Sequence, residues 1–329
     1  MKLGLQLGYW GAQPPTNHAE LVSTAEEVGF DTVFTAEAWG SDAYTPLAWW
    51  GRETTRMRLG TSVIQLSART PTACAMAALT LDHLSGGRHI LGLGVSGPQV
   101  VEGWYGQKFP KPLARTREYI DIIRQVWARE APVHSDGPHY PLPLTGEGTT
   151  GLGKNLKPIT HPLRPDIPIM LGAEGPKNVA LAAEIADGWL PIFYSPRIAT
   201  MYNEWLDEGF ARPGARRTRE TFEICATLTR QRVQVRHATA LEGTGYAEVV
   251  ERLRAARIHH QIDTCPGQRP RAAQPQPPRR GADQRAPAPD SQIHLAFLPL
   301  SVRNSIRARD MASRTVRQLS ARAGFSCRN

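Results

Sequence analysis

The chain lacks both long apolar runs and closely spaced cysteines, which argues against two large classes of protein. Its longest apolar stretches fall well short of the roughly 20 residues that a membrane-spanning helix needs. Its start, MKLGLQLGY, is too short and too alternating to be the apolar core of a signal peptide. The four cysteines lie far apart without a Cys-x-x-Cys pair, which is typical of reduced thiols. We therefore expect a cytoplasmic protein without a membrane partner.

Lysine is absent after Lys177, and the charge pattern divides the chain into two chemically different parts. Residues 1–228 carry 21 basic and 23 acidic side chains, a net charge of −2. Residues 229–329 carry 18 arginines and 7 acidic side chains, a net charge of +11. Residues 266–290 also contain seven prolines, and such a segment cannot bury enough apolar surface to offset its chain entropy. We predict a folded domain over 1–228 and an atypical basic tail over 229–329, disordered at least over 266–290.

The first part alternates short apolar runs with amphipathic stretches, which is typical of a parallel sheet covered by helices. Seven strands are predicted and no eighth strand is recognisable after 229, so we expect an α/β fold of the (β/α)8 TIM-barrel type that is incomplete. The predicted strands cover 2–9, 31–35, 58–66, 88–94, 167–172, 188–193 and 221–228, and the predicted helices cover 18–28, 44–53, 72–84, 113–129, 177–186 and 196–208.

Two blocks near the middle of this domain carry most of the functional signal. In 59–71 and in 87–106, an apolar run ends in glycine and small polar residues, which is typical of a buried strand that enters a surface loop. The second block contains the spacing Gly-x-Gly-x-x-Gly, but a proline follows the third glycine and the next predicted helix begins near 113. A dinucleotide site needs a helix to start at that glycine, so we favour a wide loop in which Gly94 and Gly97 leave room for a planar ligand.

Four stretches, GTSVIQLSARTP, LDHLSGGRHILGLGVSGPQVVEGWYG, RTREYIDIIRQVW and IPIMLGAEGPKNVALAAEIADGWLP, carry a resemblance to a known family. Residues 1–228 resemble the luciferase-like monooxygenase superfamily, and within it the branch that uses the deazaflavin coenzyme F420. The resemblance implies a barrel that holds a flavin-like ring at the C-terminal face of its strands. It also implies an oxidoreductase that moves a hydride between coenzyme F420 and a small organic substrate. An FMN-dependent monooxygenase is the alternative within the same family.

The resemblance also implies the residues of the site. A cis peptide between Ser62 and Val63 would support the ring, and the loop that follows the fifth strand would hold the coenzyme phosphate near a helix N-terminus. Glu37 and Trp39 would lie over the reactive face as candidate catalytic residues, with Ala38 where many relatives carry a histidine. The expected cofactor-binding residues are Ser62, Val63, Gly94, Val95, Ser96, Gly97, Gly172, Ala173, Glu174 and Gly175.

Residues 229–329 do not share this resemblance. Arginine without lysine, together with dense proline, alanine and glutamine, is what GC-rich coding DNA yields in the wrong frame, and we interpret this part as frameshifted. The alternative from another functional class is an inactive truncated barrel whose basic tail binds nucleic acid unspecifically. The tail lacks interleaved aromatic residues, so we do not favour a nucleic-acid partner. His259, His260 and Cys265 match no standard zinc spacing, so no metal is expected. The sequence is compatible with a homo-oligomer as well as with a monomer.

Limited proteolysis tests the predicted boundary. Because residues 266–290 cannot form a core, a protease should cut rapidly between Pro266 and Asp290 and leave a resistant fragment of 1 to about 228. Mass spectrometry of the fragments locates the cuts. A full-length chain that resists digestion would show that the tail is a folded part of the barrel.

Overall fold

The computed structural model describes residues 2–12, 14–192, 194–229 and 293–298, the last of these through its backbone. Strands and helices alternate along the chain, as the apolar pattern predicts. The strands are β1 (Lys2–Gly8), β2 (Thr32–Thr35), β3 (Arg58–Thr61), β4 (Ile64–Gln65), β5 (His89–Gly94), β6 (Ile169–Gly172), β7 (Gly188–Trp189), β8 (Glu223–Thr229) and β9 (Ile293–Leu298). The helices are α1 (His18–Glu27), α2 (Tyr44–Gly51), α3 (Pro71–Leu84), α4 (Pro98–Val101), α5 (Pro112–Ala128), α6 (Pro176–Ile185) and α7 (Ala199–Phe210), with a 3-10 turn at Pro196–Ile198.

The strands form one parallel sheet that closes on itself. Its order is β3-β2-β1-β9-β8-β7-β6-β5-β4, and β3 also pairs directly with β5 through Leu59 with His89 and Gly60 with Ile90. Eight strands therefore complete a ring, and the two-residue β4 extends β3 alongside β5. The expected TIM-type barrel is confirmed. Because all strands run in one direction, their carboxyl ends meet at one face of the barrel, where such folds bind ligands.

The expectation that no eighth strand follows is corrected. The segment Ile293–Leu298 pairs in parallel with β1 on one edge and with β8 on the other. Without it, two strands would each leave a row of backbone donors and acceptors unpaired, and a short apolar segment satisfies both rows. The signal was missed because this strand follows a long stretch without strand–helix rhythm. The predicted disorder over 266–290, the His259, His260 and Cys265 group and the rest of the basic tail lie outside the described residues, and the boundary at 228 stays a prediction.

Two local predictions near the site also need correction. The run predicted as one strand over 58–66 is divided into β3 and β4 at Ser62 and Val63. The loop predicted after Gly97 contains the single-turn helix α4, which begins at Pro98 because proline suits the first helical position. This turn ends after four residues, and β5 belongs to a closed barrel. The dinucleotide fold that the three glycines suggest is therefore not formed.

Side chains fill both sides of the barrel wall. A large cluster joins α3, α5 and α6 to the outer face of the sheet, and Trp127 donates its indole hydrogen to the carbonyl of Ala75 at 3.0 Å. Another cluster consists of Phe34, Ile90, Met170, Leu190 and Cys225, which come from β2, β5, β6, the end of β7 and β8. No helix in the described part of the chain is long and apolar enough to cross a membrane.

His89 makes the stability of this barrel sensitive to acid. The ring is fully buried, its Nδ1 lies 2.8 Å from the carbonyl oxygen of Leu59, and burial lowers the pKa of His89 to about 4 from the usual 6.5. The unfolded chain therefore binds this proton more readily than the folded chain, so stability falls as pH drops from 6.5 towards 4. The difference between the two pKa values predicts that the free energy of unfolding falls by about 2 kcal/mol between pH 7 and pH 5.

Urea unfolding at pH 7 and pH 5 measures this loss, with His89→Asn as the comparison. The asparagine amide can donate to the Leu59 carbonyl but cannot take up a proton in this range. The variant should lose about 2 kcal/mol less than the parent between the two pH values. An equal loss in both proteins would show that other groups carry the acid sensitivity.

Candidate active site

A cavity of about 480 Å³ opens at the carboxyl ends of the strands. Its walls come from the ends of β1, β5, β6, β7 and β8 and from the segments that follow β2 and β3. The surface of the cavity is mainly apolar, and six polar side chains lie among its lining residues, which is the usual character of a small-molecule site. The lining residues are Gln6, Leu7, Gly8, Tyr9, Ala36, Ser62, Val63, Gly94, Val95, Ser96, Gly172, Glu174, Asn178, Leu190, Ile192 and Thr227.

Val63 forms a platform in this cavity. The peptide between Ser62 and Val63 is cis, which confirms the prediction. A Cβ atom on Gly94 would lie 2.5 Å from Val63 Cγ2, and one on Gly172 would lie 3.0 Å from Val63 Cγ1. The two glycines therefore let β5 and β6 approach the valine side chain closely. Together, these three residues give a smooth surface without side-chain polar atoms.

The backbone of the segment that carries Val63 is held from two neighbouring strands. Gln6 donates its Nε2 hydrogen to the carbonyl of Ser62 at 3.1 Å, and the Ser62 amide donates to the carbonyl of Thr35 at 2.6 Å. The amide of Glu37 donates to the carbonyl of Val63 at 3.2 Å. These bonds tie the ends of β1 and β2 to the wall of the cavity.

Glu37 lies behind this wall, and it is not among the residues that line the cavity. Its carboxylate accepts hydrogen bonds from the amide of Gln65 at 3.0 Å and from Arg69 Nη1 at 2.8 and 2.9 Å. Trp39 is 49% exposed and also lies outside the lining. The catalytic roles expected for Glu37 and Trp39 stay predictions.

The loop after β5 contributes three of its four expected residues to the cavity. Gly94, Val95 and Ser96 line it, and Ser96 has a left-handed backbone with φ of 58°. Gly97 does not line it, and a Cβ atom there would meet only Gln99 Oε1, at 2.9 Å. The structure thus separates Gly94, which borders the cavity, from Gly97, which immediately precedes α4.

The loop between β6 and α6 closes another side. Gly172 and Glu174 line the cavity, whereas Ala173 is buried and its carbonyl accepts a hydrogen bond from Trp189 Nε1 at 2.8 Å. Glu174 Oε1 accepts from the amide of Ile192 at 2.9 Å, which joins this loop to the segment after β7. Gly175 has a φ of 79° and precedes the first turn of α6, so the helix N-terminus starts beside the cavity.

Nine of the lining residues were not among the expected site residues. They stand at or near the carboxyl ends of β1, β2, β7 and β8 or in the first turn of α6, and the barrel rule that ligands bind at these ends could have found most of them. Single side chains such as Leu7 or Thr227 carry no motif of their own. The missed residues are Gln6, Leu7, Gly8, Tyr9, Ala36, Asn178, Leu190, Ile192 and Thr227.

Burial shifts the pKa values of two titratable groups close to the site. Burial raises the pKa of the Cys74 thiol to about 11, so this cysteine stays protonated and is not a nucleophile at neutral pH. Burial also raises the pKa of Tyr44, whose hydroxyl lies 3.9 Å from Cys74 Sγ. Among the residues that the structure describes, no group of three or more histidine, cysteine or acidic side chains could hold a metal ion.

The closed barrel and the cavity at its C-terminal face define a class of (β/α)8 proteins that bind a small molecule across the strand ends. The sequence model of the family described as luciferase-like monooxygenase matches residues 4–286. The chain therefore belongs to the luciferase-like monooxygenase family. The family model extends beyond residue 228, whereas individual relatives match about 69% of the chain, which is consistent with the expected mismatch of the C-terminal part.

Known relatives agree with this membership. A Mycobacterium tuberculosis protein designated as a coenzyme F420-dependent oxidoreductase is 90% identical over 227 residues, which cover 69% of this chain and 65% of that protein. The 5,10-methylenetetrahydromethanopterin reductase of Archaeoglobus fulgidus is 32% identical, over 69% of this chain and 63% of the reductase. The chain thus spans slightly less than two thirds of the length of these relatives.

A solved structure gives the same architecture. The coenzyme F420-dependent tetrahydromethanopterin reductase of Methanopyrus kandleri superposes with a TM-score of 0.58 and 24% sequence identity. The superposition covers 69% of this chain and 66% of the reductase. At this identity the similarity supports the fold alone.

Alanine substitutions at the two loop glycines separate their roles. Gly94→Ala forces Val63 to shift and should cost about 1–3 kcal/mol, as other overpacking changes do. Gly97→Ala meets only the flexible end of Gln99 and should change stability by less than about 0.5 kcal/mol. Thermal unfolding measures both, and the first variant should melt several degrees lower. Equal melting temperatures would show that Val63 does not pack against Gly94.

Proposed function

We propose that this protein is an oxidoreductase that transfers a hydride between coenzyme F420 and a small organic substrate. The observation that carries the proposal is the platform of Val63, Gly94 and Gly172 inside the cavity, since an apolar surface without polar side-chain atoms suits a planar ring. Membership of the luciferase-like family and the names of the relatives support the same coenzyme. FMN, whose ring has a similar outline, is the competitor that an experiment must exclude.

The residues at the platform fit a bound deazaflavin. The two glycines keep the surface free of Cβ atoms that would displace Val63. The loop before α6 has room for the phosphate of the coenzyme, because nothing lies within 4 Å of a Cβ position on Gly175. The free amides of a helix N-terminus also favour a phosphate. Ser62, Val63, Gly94, Val95, Ser96 and Gly172 would hold the ring, and Ala173, Glu174 and Gly175 the phosphate end. Gly97 would support the β5 loop.

When bound, the coenzyme would supply the group that accepts or donates the hydride. The protein's own residues would orient the two reactants and keep water away. Leu7 of β1, Ala36 after β2, and Leu190 and Ile192 after β7 line the cavity, and their apolar side chains would exclude water from a substrate there. Trp39 and Tyr9, both partly exposed, would border the opening. A cytoplasmic location belongs to this proposal.

Titration of the full chain with coenzyme F420 and, separately, with FMN tests the proposal. The fluorescence of each cofactor reports binding, and coenzyme F420 should bind at least tenfold more tightly. Val63→Phe should abolish binding because the ring would meet the new side chain, whereas Met76→Phe, on an exposed face of α3, should bind as the parent does. Tighter binding of FMN would favour the monooxygenase alternative.

Failure of the parent to bind either cofactor would contradict the proposal. Salt-dependent binding of DNA in the same sample would then favour the inactive barrel with a nucleic-acid-binding tail. Where coenzyme F420 binds, oxidation of the reduced coenzyme by a panel of uncharged carbonyl compounds, and its reduction by the matching alcohols, would identify the substrate class.

A further inference from the structure

We propose that Glu37 and Arg69 act as a positioning pair that fixes the Ser62–Gln65 wall of the cavity. Neither side chain lines the cavity, so neither is a catalytic residue in this proposal. The pair acts through the backbone that carries Val63. Its consequence for coenzyme binding rests on the proposed function, whereas its effect on the wall does not.

The contacts of Glu37 surround the segment that bears the platform. Its backbone amide donates to the carbonyl of Val63 at 3.2 Å, and its Oε1 accepts from the amide of Gln65 at 3.0 Å. Its Oε2 lies 3.4 Å from the amide nitrogen of Ala43. One residue at the end of β2 therefore bonds to the backbone on both sides of Ile64. These bonds oppose a movement of Val63 away from Gly94 and Gly172.

Arg69 compensates the charge of the buried Glu37 carboxylate. The side chain of Glu37 is 3% exposed and that of Arg69 is 22% exposed. Both carboxylate oxygens lie within 2.9 Å of Arg69 Nη1, so the negative charge is compensated where water cannot reach it. Without the guanidinium, the buried carboxylate would lack its charge partner, which costs free energy.

Arg69 is itself held from two helices. Its guanidinium carbon lies 5.3 Å from the centre of the Tyr44 ring in α2, a cation–π distance. Its backbone carbonyl accepts a hydrogen bond from the Tyr119 hydroxyl in α5 at 3.1 Å. The segment after β4 is thereby fixed to the outer helices, and Glu37 transmits that fixed position to the wall. The expected result is a wall that is ordered before any ligand binds.

Three variants separate positioning from mere stability. Glu37→Met removes the acceptor for Gln65, Arg69→Met leaves the carboxylate unpaired, and the double variant replaces the pair with two apolar side chains of similar length. Removal of one partner of a buried pair destabilises a protein, whereas replacement of both is often neutral. Both single variants should melt below the parent. The double variant should recover the part of the loss that comes from an unpaired buried charge, but not the part that comes from the amides of Gln65 and Ala43, which lose their acceptor.

A second buried pair provides the matched control. Arg164 Nη2 lies 2.7 Å from Asp82 Oδ1, and their side chains are 33% and 2% exposed. This pair lies at the amino end of β5, where Asp82 also accepts from the amide of His89. Arg164→Met should lower the melting temperature in the same way as Arg69→Met. It should leave the cavity wall unchanged, because the wall lies at the opposite end of the strands.

Hydrogen exchange of the ligand-free protein and titration with coenzyme F420 give the two readouts. In all three Glu37 and Arg69 variants, the amides of residues 62–65 should exchange at least tenfold faster than in the parent, and the Kd for the coenzyme should rise at least tenfold. In Arg164→Met both values should match the parent. Weak binding in the double variant, together with parent-like binding in Arg164→Met, would establish positioning.

Each contrary outcome has a distinct meaning. Unchanged exchange over 62–65 in the double variant would overturn the positioning pair, whether or not the coenzyme binds. If the double variant binds the coenzyme as tightly as the parent does, the pair only stabilises the fold and the positioning role is wrong. If the parent does not bind the coenzyme but residues 62–65 still exchange faster in the variants, the positioning role is supported and the proposed function is contradicted.

Discussion

A closed parallel sheet requires every strand to have a hydrogen-bonded neighbour on both edges, and the rest of this structure depends on that requirement. Direct pairing of β3 with β5 closes one side, and β9 between β1 and β8 closes the other. Closure brings the carboxyl ends of strands that are distant in sequence to a single face. Gln6 and Thr227 thereby line one cavity although more than 200 residues separate them.

Within the closed ring, small residues stand where neighbouring strands approach most closely. A Cβ atom on Gly92 would lie 1.8 Å from the carbonyl oxygen of Thr61, so only glycine fits there. Further along the same strand, Gly94 accommodates the side chain of Val63. The glycine-rich ending of β5 thus serves barrel packing first and the cavity second. This double role explains why a spacing that resembles a dinucleotide motif occurs without that fold.

Much of the fold follows from local sequence, whereas seven of the sixteen cavity residues were expected mainly because of the family resemblance. Periodicity predicted α1, α3 and α5 to within about two residues, because amphipathic helices carry a repeated signal. β9 was not predicted because its pairing on both edges depends on the tertiary fold, and its six residues alone carry no signal for that pairing. Ser62 and Gly172 were found through family motifs, whereas Leu7 and Ile192 reach the cavity only through closure. The partner of Glu37 was also hidden, since Arg69 lies 32 residues away and is joined to it by folding.

The central claim is that the surface of Val63, Gly94 and Gly172 receives the ring of a deazaflavin. Crystallography of the full chain grown with oxidised coenzyme F420 tests this claim most directly. Our account predicts electron density for the ring in van der Waals contact with the Val63 side chain, with Gly94 and Gly172 beside it and the phosphate near Gly175. Ring density elsewhere on the molecule, or a ring in this cavity without contact to Val63, would contradict it.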